Sequence, residues 1–290
     1  SRQLMPLAFA CGWGGVITMV GTPPNIIATG ALKAAGLPTF SFFEFAWIGI
    51  PLSLAGMLYM MFIGKYLLPK VELSADQEIA QEIEAKTTST SKQMISGLIL
   101  LLVVVTMAIG IPGITLEMAA VIGAIVCVLT GCLTEKQAYG SIDWVTIFLF
   151  AGMMPIATSM DKTGAGALIA DWTVGLMGGT PSPMVVTAVL FLLSCTLTQF
   201  MSNTAASALL CPIGLAIAKQ LGADPKAVVM AIAVAASCAF ATPVGTPPNT
   251  LVLGPGNYKF MDYVKAGVPL VIVSFIVSII IIPMVWPFFP

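Results

Sequence analysis

The chain has 290 residues, of which 58% are hydrophobic and only 9% are charged, and its formal net charge is −1. A soluble domain carries roughly 25% charged residues, so this balance indicates a protein embedded in a membrane. A chain so close to neutrality offers no polybasic face for nucleic acid. It contains no histidine, which excludes histidine-based catalytic triads, HExxH zinc sites and histidine proton relays.

Long apolar runs predict the membrane-spanning helices. A span needs about 20 predominantly apolar residues. The runs that meet this requirement are 46–68, 94–112, 114–133, 144–160, 183–201 and 266–287. Shorter apolar runs end abruptly at a polar or proline-rich stretch, and we expect them to be half-spans; they are 4–20, 205–218 and 227–243.

A polar segment, residues 69–93, separates an N-terminal part, 1–68, from a second part, 94–290. It mixes acidic and basic residues and ends in TTSTS, which predicts a solvated connector. Lys65, Lys70 and Lys92 flank the adjoining spans, and this favours a cytoplasmic connector by the positive-inside rule. Alternating the later spans from that point predicts a multi-pass protein of the inner (plasma) membrane with its C-terminus outside.

The remaining single residues predict little chemistry. All six cysteines lie in or beside apolar runs and none forms a CxxC pair, so we expect small buried residues rather than disulfides or metal ligands. Glu44 and Glu117 lie at span ends and are expected at the membrane interface, together with Trp47, Trp144 and Trp286.

The run VGTPPN occurs twice, at residues 20–25 and 244–249, each time after a small-residue apolar segment that contains a cysteine. Proline has no N–H and disfavours helix in the residue before it, so Gly-Thr-Pro-Pro predicts a helix broken near the middle of the membrane. A single copy would fit a kinked helix equally well. Two copies in corresponding positions favour the matched broken helices that form a transporter's binding site.

Such a break exposes main-chain groups that can bind ions. Carbonyls are left unpaired at the end of one half-helix, and N–H groups are left unpaired at the start of the next. In lipid these groups are costly unless they line a protein cavity or bind a ligand. Carbonyls and the threonine hydroxyl suit a hard cation such as Na⁺, and the positive ends of half-helices suit an anion.

Between the two copies, residues 197–212 read LTQFMSNTAASALLCP and contain an uncharged polar cluster. If run 183–201 enters the membrane and 205–218 leaves on the same side, the cluster is the tip of a re-entrant hairpin, 183–218. The alternative is a solvent-exposed loop between two full spans. The shortness of 205–218 and the absence of charge in the cluster favour the hairpin.

The ordered set TPPN, SNT, TPPN resembles the divalent anion/sodium symporter family, whose members carry di- and tricarboxylates and, in some branches, sulfate. The resemblance implies an all-α integral membrane protein of two inverted repeats, each with a re-entrant hairpin and a broken helix. The second repeat would be complete, with its broken helix at 227–256 and its final span at 266–287. In the first repeat no SNT precedes TPPN, so we expect an N-terminally truncated chain with an incomplete first repeat and first Na⁺ site.

The resemblance also implies roles for individual residues. The residues implied to bind substrate are Ser202, Asn203, Thr204, Thr246, Pro247, Thr22 and Pro23. A second Na⁺ site would take oxygens from Thr198, Asn203 and the main-chain carbonyls of Met201 and Gly245, and the first site from the carbonyl of Gly21. The implied partners are two or more Na⁺ ions, a small dianion, the lipid bilayer and a second copy of the chain.

These features predict a sodium-coupled carrier that imports a small dianion, such as succinate, citrate or sulfate, by alternating access. No lysine or arginine lies near either VGTPPN copy, so bound Na⁺, hydroxyls and helix N-termini would hold the anion. Hairpin and broken helices would move against a scaffold made of 46–68, 94–112, 114–133 and 266–287. An enzyme is not expected, because no catalytic constellation is present.

The alternative is an antiporter of related fold, for arsenite or for Na⁺ and H⁺. Such a protein would typically carry a carboxylate in mid-membrane to bind protons. None is evident in these apolar runs.

Overall fold

The structure is a computed structural model, and it describes residues 3–69, 90–109, 111, 113–142, 144, 147, 148, 151, 152, 155, 159, 162–176 and 181–289. The predicted connector 69–93 lies mostly outside the described residues, and so does much of the predicted span 144–160. The chain divides into a larger unit, Ser1–Leu73 with Val145–Pro290, and a smaller unit, Ser74–Trp144.

The described residues form helices and no strand, which confirms the predicted all-α fold. The helices of the larger unit that precede the smaller unit are α1 (Leu4–Val16), α2 (Pro23–Ala34), α3 (Ala46–Tyr59) and, after a π-helical turn at Met60–Gly64, α4 (Lys65–Leu67). The smaller unit contains α5 (Thr90–Ile109), α6 (Leu116–Leu129) and α7 (Glu135–Gly140). The larger unit resumes with α8 (Ala165–Leu176), α9 (Pro183–Thr198), α10 (Asn203–Leu221), α11 (Pro225–Ala236), α12 (Pro247–Leu253) and α13 (Phe260–Val285).

Within the described residues, the segments long and apolar enough to cross a membrane are Ala46–Leu67, Ser91–Ile109, Asn203–Leu221 and Phe260–Val285. Large apolar side chains such as Leu54, Leu58 and Phe62 are exposed on the first of them, as expected of a lipid-facing surface. One expectation is wrong: 205–218 is not a short half-span, because α10 extends it at both ends to a helix of 19 residues. The run was underestimated because only its apolar residues were counted.

Both VGTPPN copies break a helix, as predicted. Residues 17–22 separate α1 from α2, and residues 237–246 separate α11 from α12. The two threonines adopt nearly the same extended backbone, with φ −147° and ψ 143° at Thr22 and φ −135° and ψ 145° at Thr246. In each copy the two prolines then occupy the first two helical positions, where a missing N–H costs no helical hydrogen bond.

The helix that follows each broken helix packs directly against the break. A Cβ at Gly49 of α3 would lie 2.7 Å from the Cα of Ile17, in the first break. A Cβ at Gly267 of α13 would overlap the carbonyl of Phe240 and lie 2.8 Å from the Cα of Ala241, in the second break. Both glycines begin the same pattern, Gly-x-Pro-Leu, at 49–52 and 267–270.

The predicted scaffold runs fall in both units, and their role as a scaffold stays a prediction. α3 contacts α1, and α13 contacts α9 and α11, so the predicted scaffold runs 46–68 and 266–287 belong to the same compact unit as the broken helices. The other two predicted scaffold runs, 94–112 and 114–133, correspond to α5 and α6 of the smaller unit, which pack on each other. Hydrophobicity does not reveal which spans pack together, because every span is apolar.

The cysteines follow the prediction only in part. Cys195, Cys211 and Cys238 are buried, but Cys11 is exposed and Cys127 is only partly covered. An exposed cysteine on an apolar helix costs little where the surroundings are lipid, so apolar context did not determine burial in the protein.

Glu44 and Trp286, both expected at the membrane interface, bind each other in the larger unit. The Glu44 carboxylate accepts hydrogen bonds from Lys226 Nζ at 2.9 and 3.1 Å, from Trp286 Nε1 at 3.1 Å and from the Ser41 N–H at 2.9 Å. Lys226 also lies 5.3 Å from the centroid of the Phe40 ring. This cluster ties the loop before α3, the start of α11 and the end of α13 together.

We expect Gly267→Ala to destabilise the larger unit, because its Cβ would meet the backbone of residues 240 and 241, which cannot move aside as a side chain can. Overpacking of this kind costs roughly 1–3 kcal/mol. Thermal unfolding in detergent measures the effect. Gly14→Ala in α1 is the matched control, since a Cβ there meets nothing within 4 Å and should be neutral or slightly stabilising. Equal unfolding temperatures for the two variants would contradict the close packing.

We expect the Glu44 cluster to lose its contribution to stability in acid. Burial raises the pKa of Glu44, but the hydrogen bonds from Ser41, Lys226 and Trp286 outweigh it, so the pKa lies below the ordinary value of 4.5. The stabilisation is therefore fully present above pH 4.5 and is lost as the pH falls through the lower folded value. Glu44→Gln should lower the unfolding temperature by about 2–4 °C near neutral pH, equivalent to about 1 kcal/mol, and much less in acid. A deficit that does not shrink in acid would refute this role.

Candidate functional site

The second break and the α9–α10 connection, residues 199–202, bring polar atoms together. The Thr198 hydroxyl donates to the Ala236 carbonyl at 2.8 Å and lies 2.6 Å from the side-chain amide of Asn203. The Asn203 amide also lies 2.9 Å from the Gly245 carbonyl oxygen and 3.0 Å from the Ala236 carbonyl oxygen. The structure thus gathers three of the predicted cation ligands, Thr198, Asn203 and Gly245, and adds the carbonyl of Ala236. We call these four residues the oxygen cluster.

The Asn203 amide can face this cluster in two ways. With Oδ1 directed inward, it accepts from the Thr198 hydroxyl and stands beside two carbonyl oxygens, an arrangement that a cation would neutralise. With Nδ2 directed inward, it donates to the oxygens of Thr198, Gly245 and Ala236, and the cluster is satisfied without an ion. The same side chain therefore suits both a loaded and an empty cation site.

Gly245 has no space for a side chain in this arrangement. A Cβ there would lie 2.6 Å from the Cβ of Ala239 and 2.9 Å from the main-chain oxygen of Thr198. The break and the α9–α10 connection therefore meet backbone against backbone at this point. Only glycine permits such an approach, which explains the residue type in the second VGTPPN copy.

Two further predicted cation ligands have no described contact with the oxygen cluster. Met201 stands two residues before Asn203, and its N–H donates to Leu197 at 3.1 Å. Gly21, predicted for a separate first Na⁺ site, lies in the first break, where a Cβ at Gly15 would lie 2.8 Å from its carbonyl oxygen, so this carbonyl faces the backbone of α1. Both assignments stay predictions.

The predicted substrate-binding hydroxyls have different surroundings. Thr22 Oγ1 lies 3.4 Å from Ser237 Oγ, which brings the first break into contact with the second. Thr204 and Thr246 are nearly buried, whereas Ser202 is exposed and caps α10 by accepting from the Ala205 N–H at 3.2 Å. None of the described contacts joins Pro23 or Pro247 to these hydroxyls.

One expectation about anion binding needs correction. Free N–H groups were expected at the start of the second half of each broken helix. The two prolines at the start of α2, and the two at the start of α12, carry no N–H. In the first break the Asn25 N–H also donates to Thr22 at 3.1 Å. These helix ends thus retain a positive dipole but few hydrogen-bond donors, whereas α10 begins with residues that have N–H groups.

The asparagines that end the two VGTPPN motifs form hydrogen bonds to main-chain carbonyls of the breaks, and we call them the stapling asparagines. Asn25 Nδ2 donates to the Thr18 carbonyl at 2.9 Å, and Asn249 Nδ2 donates to the carbonyls of Ala239 at 2.9 Å and Thr242 at 3.0 Å. Each asparagine thus reaches a carbonyl seven residues back, which an unwound segment leaves free. Both side chains are buried, and neither Oδ1 has a partner among the described residues.

Several of these residues escaped the sequence analysis. Ala236 and Ser237 carry no signal of their own, because their role depends on where a helix happens to end. Gln199 was noticed only as part of a polar cluster. The repeated Gly-x-Pro-Leu after each motif was a usable signal, since it marks the helix that lies behind each break.

Comparison with known proteins identifies the family. The sequence profile described as citrate transporter, CitMHS, matches residues 1–213 and 117–288. The chain belongs to the citrate transporter family. This confirms the resemblance to the divalent anion/sodium symporter family. Several helices of the described residues are long and apolar enough to cross a membrane, as expected of a membrane transporter family.

Curated relatives of this citrate transporter family member agree with that assignment. It is 48% identical over 57% of its length to YfbS of Escherichia coli strain K12, an uncharacterized transporter of which it covers 27%. It is 32% identical over 94% of its length to an uncharacterized transporter of Haemophilus influenzae, of which it covers 60%. It is 24% identical over 96% of its length to SdcS of Staphylococcus saprophyticus, a sodium-dependent dicarboxylate transporter of which it covers 57%. The chain therefore spans between about a quarter and three fifths of these relatives.

We expect Asn249→Ala to cost more stability than Asn25→Ala. Asn249→Ala removes the donor to the carbonyls of Ala239 and Thr242, whereas after Asn25→Ala the Thr18 carbonyl still accepts from the Gly21 N–H at 3.2 Å. An unsatisfied buried group costs about 1–3 kcal/mol, so the unfolding temperatures of the two variants in detergent should differ by several degrees. Each variant is the other's control, because residue type and motif are identical. A larger loss for Asn25→Ala would show that the staples do not stabilise the breaks as described.

Proposed function

We propose that this chain carries the substrate and sodium site of a secondary transporter that couples Na⁺ entry to import of a small dianion. The observation that supports this proposal is the oxygen cluster, which contains a hydroxyl, a side-chain amide and two main-chain carbonyls. Each of these groups lies within 3.0 Å of at least one of the others. Unwound carbonyls of this kind bind Na⁺ in broken-helix transporters. The sodium-dependent relative SdcS agrees with this choice of ion.

Asn203 is proposed to couple the binding of Na⁺ to the binding of the anion. Its amide has one oxygen and one nitrogen, and a cation at the cluster requires the oxygen to face inward. The nitrogen then faces away from the cluster and is free to donate to a carboxylate. Sodium would in this way create a donor for the anion, and by thermodynamic reciprocity the anion would tighten sodium binding.

The anion is proposed to be held by neutral donors. The residues we propose for this are Ser202, Asn203, Thr204, Thr246 and Thr22, with Pro23 and Pro247 shaping the site. Ser237 is added because its hydroxyl meets that of Thr22 at 3.4 Å. Neighbouring Na⁺ and the N-terminus of α10 would supply positive charge. A di- or tricarboxylate such as succinate or citrate, or sulfate, suits such a site.

The matched breaks support an architecture of two inverted repeats. Both breaks have an extended threonine, two prolines, a stapling asparagine and a Gly-x-Pro-Leu helix behind them. We propose that α9 and α10 form the re-entrant hairpin of the second repeat. We further propose that the larger unit moves as a body during alternating access, while α5 and α6 belong to the part that stays in place.

The proposed transporter lies in the inner (plasma) membrane, with a cytoplasmic connector at 69–93 and an external C-terminus. We further propose that it forms a homodimer, couples transport to two or more Na⁺ ions and has a first Na⁺ site that uses the Gly21 carbonyl. Met201 is retained as a carbonyl ligand that would join the cluster when the ion binds. The alternative function is an antiporter for arsenite or for Na⁺ and H⁺.

The test is uptake by the full-length protein in proteoliposomes. We expect an inward Na⁺ gradient, but not choline, to drive uptake of labelled succinate, citrate or sulfate. Asn203→Ala should reduce sodium-driven uptake by at least about tenfold, because it removes a ligand of the ion and a donor to the anion together. Uptake driven by a pH gradient without Na⁺ would favour the alternative.

The matched control is Asn257→Gly, which changes an exposed asparagine that has φ 49° and therefore tolerates glycine. It should retain the uptake of the parent protein. If Asn203→Ala also transports normally, the oxygen cluster is not the cation site.

A further inference from the structure

We propose that Gln199 is a positioning residue that holds the unwound segment 237–242 open and thereby fixes the carbonyls of the oxygen cluster. The inference rests on the proposed function, since it assigns Gln199 a part in cation binding although Gln199 is not itself in the cluster. It would act through the main chain of the second break.

Gln199 is hydrogen-bonded to both sides of the break through its side chain. Nε2 donates to the carbonyl of Cys195, in its own helix, at 3.0 Å and to the carbonyl of Cys238 at 3.2 Å. Oε1 accepts from the Ala241 N–H at 3.1 Å. The main-chain oxygen of Gln199 accepts from the Thr242 hydroxyl at 2.9 Å. One residue thus binds the unwound segment at three positions.

The side-chain bonds replace those that a continuous helix would make. In an unbroken α-helix the Ala241 N–H would donate to residue 237, and the Cys238 carbonyl would accept from residue 242. Here a single planar amide accepts from the Ala241 N–H and is one of the donors to the Cys238 carbonyl, which also accepts from the Phe240 N–H at 3.0 Å and from the Cys195 thiol at 3.5 Å. Methionine has a similar length but neither function, and an ionised glutamate can only accept.

The bonds continue from this segment to the oxygen cluster. The Thr242 hydroxyl, held by Gln199, accepts from the Gly245 N–H at 3.3 Å. The Thr242 carbonyl is held by Asn249 at 3.0 Å. Gly245 in turn places its carbonyl 2.9 Å from the Asn203 amide. The Thr242 hydroxyl is bound by the main-chain oxygen of Gln199, which substitution leaves in place, whereas the side-chain amide binds Cys238 and Ala241. Because Ala241 directly precedes Thr242, loss of the side-chain amide should loosen Thr242 and with it the Gly245 carbonyl, while Thr198 and Asn203 are unchanged as residues.

The test compares Gln199→Met with the parent and with Gln220→Met, which changes an exposed glutamine at the end of α10. Two measurements on the full-length protein are needed. Hydrogen exchange followed by mass spectrometry reports the protection of the Ala241 amide. The Na⁺ concentration that gives half of the sodium-dependent rise in unfolding temperature, with choline as the replacement ion, reports cation binding.

We expect Gln199→Met to speed exchange in segment 237–246 by about fivefold or more, since one net hydrogen bond is worth about 1 kcal/mol. The Na⁺ midpoint should rise by about five- to tenfold for the same reason, while the maximal stabilisation at saturating Na⁺ is retained. Gln220→Met should change neither quantity. A residue that only stabilises the fold is not expected to shift the Na⁺ midpoint while it leaves the maximal Na⁺-dependent rise in unfolding temperature unchanged.

Gln199→Glu provides a second variant should Gln199→Met fail to fold. A carboxylate keeps the acceptor for Ala241 but loses the donor to Cys238, and protonation restores a donor. Its Na⁺ midpoint should therefore be raised at pH 8 and should return towards that of the parent in acid, relative to any change that the parent shows.

The outcomes separate the two proposals. Unchanged exchange in segment 237–246, or faster exchange with an unchanged Na⁺ midpoint, overturns the role of Gln199. A Gln199→Glu midpoint that matches the parent at every pH overturns the donor half of the argument. A parent protein without any response to Na⁺ overturns the proposed coupling ion instead, and the exchange measurement then still decides whether Gln199 holds the break.

Discussion

The structure depends on one constraint. Main-chain polar groups inside a membrane need hydrogen-bond partners, and proline has no N–H to donate. Each Thr-Pro-Pro-Asn begins a helix after an unwound segment, and the main-chain groups of that segment lack helical partners, which is costly inside a membrane. Side chains form hydrogen bonds with these main-chain groups in place of the helical ones. Asn25 does so at the first break, and Asn249 and Gln199 do so at the second. Tyr263 contributes as well, since its hydroxyl donates to the Asn249 carbonyl at 2.7 Å.

The oxygen cluster differs from the rest of the second break in how its carbonyls are hydrogen-bonded. The carbonyls of Ala239 and Thr242 accept from Asn249, and the Pro243 carbonyl accepts from the Thr250 hydroxyl. The carbonyls of Ala236 and Gly245 lie beside the single amide of Asn203, and Thr198 also donates to Ala236. Under the proposed function, a bound cation would replace these hydrogen bonds.

The sequence predicted the broken helices well because proline acts locally, through its own ring and its missing N–H. It predicted the meeting of Thr198, Asn203 and Gly245 only through the resemblance to a family. The parts that failed depend on distant contacts. The length of α10 was underestimated because polar residues can extend an apolar helix when its other face is packed. The packing of α13 against the second break could not be predicted, because hydropathy does not show which helices an apolar helix contacts.

Two residues illustrate what sequence alone could not supply. Ala236 contributes a carbonyl, which every residue has, so its importance lies only in being the last residue of α11. Ser237 matters because Thr22, 215 residues away in the chain, approaches its hydroxyl. Both roles follow from tertiary packing. The Gly-x-Pro-Leu repeat, by contrast, is a local sequence pattern that identifies the helix packed behind each break once the breaks are known.

The glycine contacts behind the two breaks have a consequence for the route of ions. At Gly49 and Gly267 the bracing helix touches the broken chain main chain to main chain, with less room than a methyl group requires. At these two points the main chains are in direct contact, and no space for a water molecule lies between them. An ion cannot pass between the bracing helix and the break at Gly49 or Gly267 while these contacts hold.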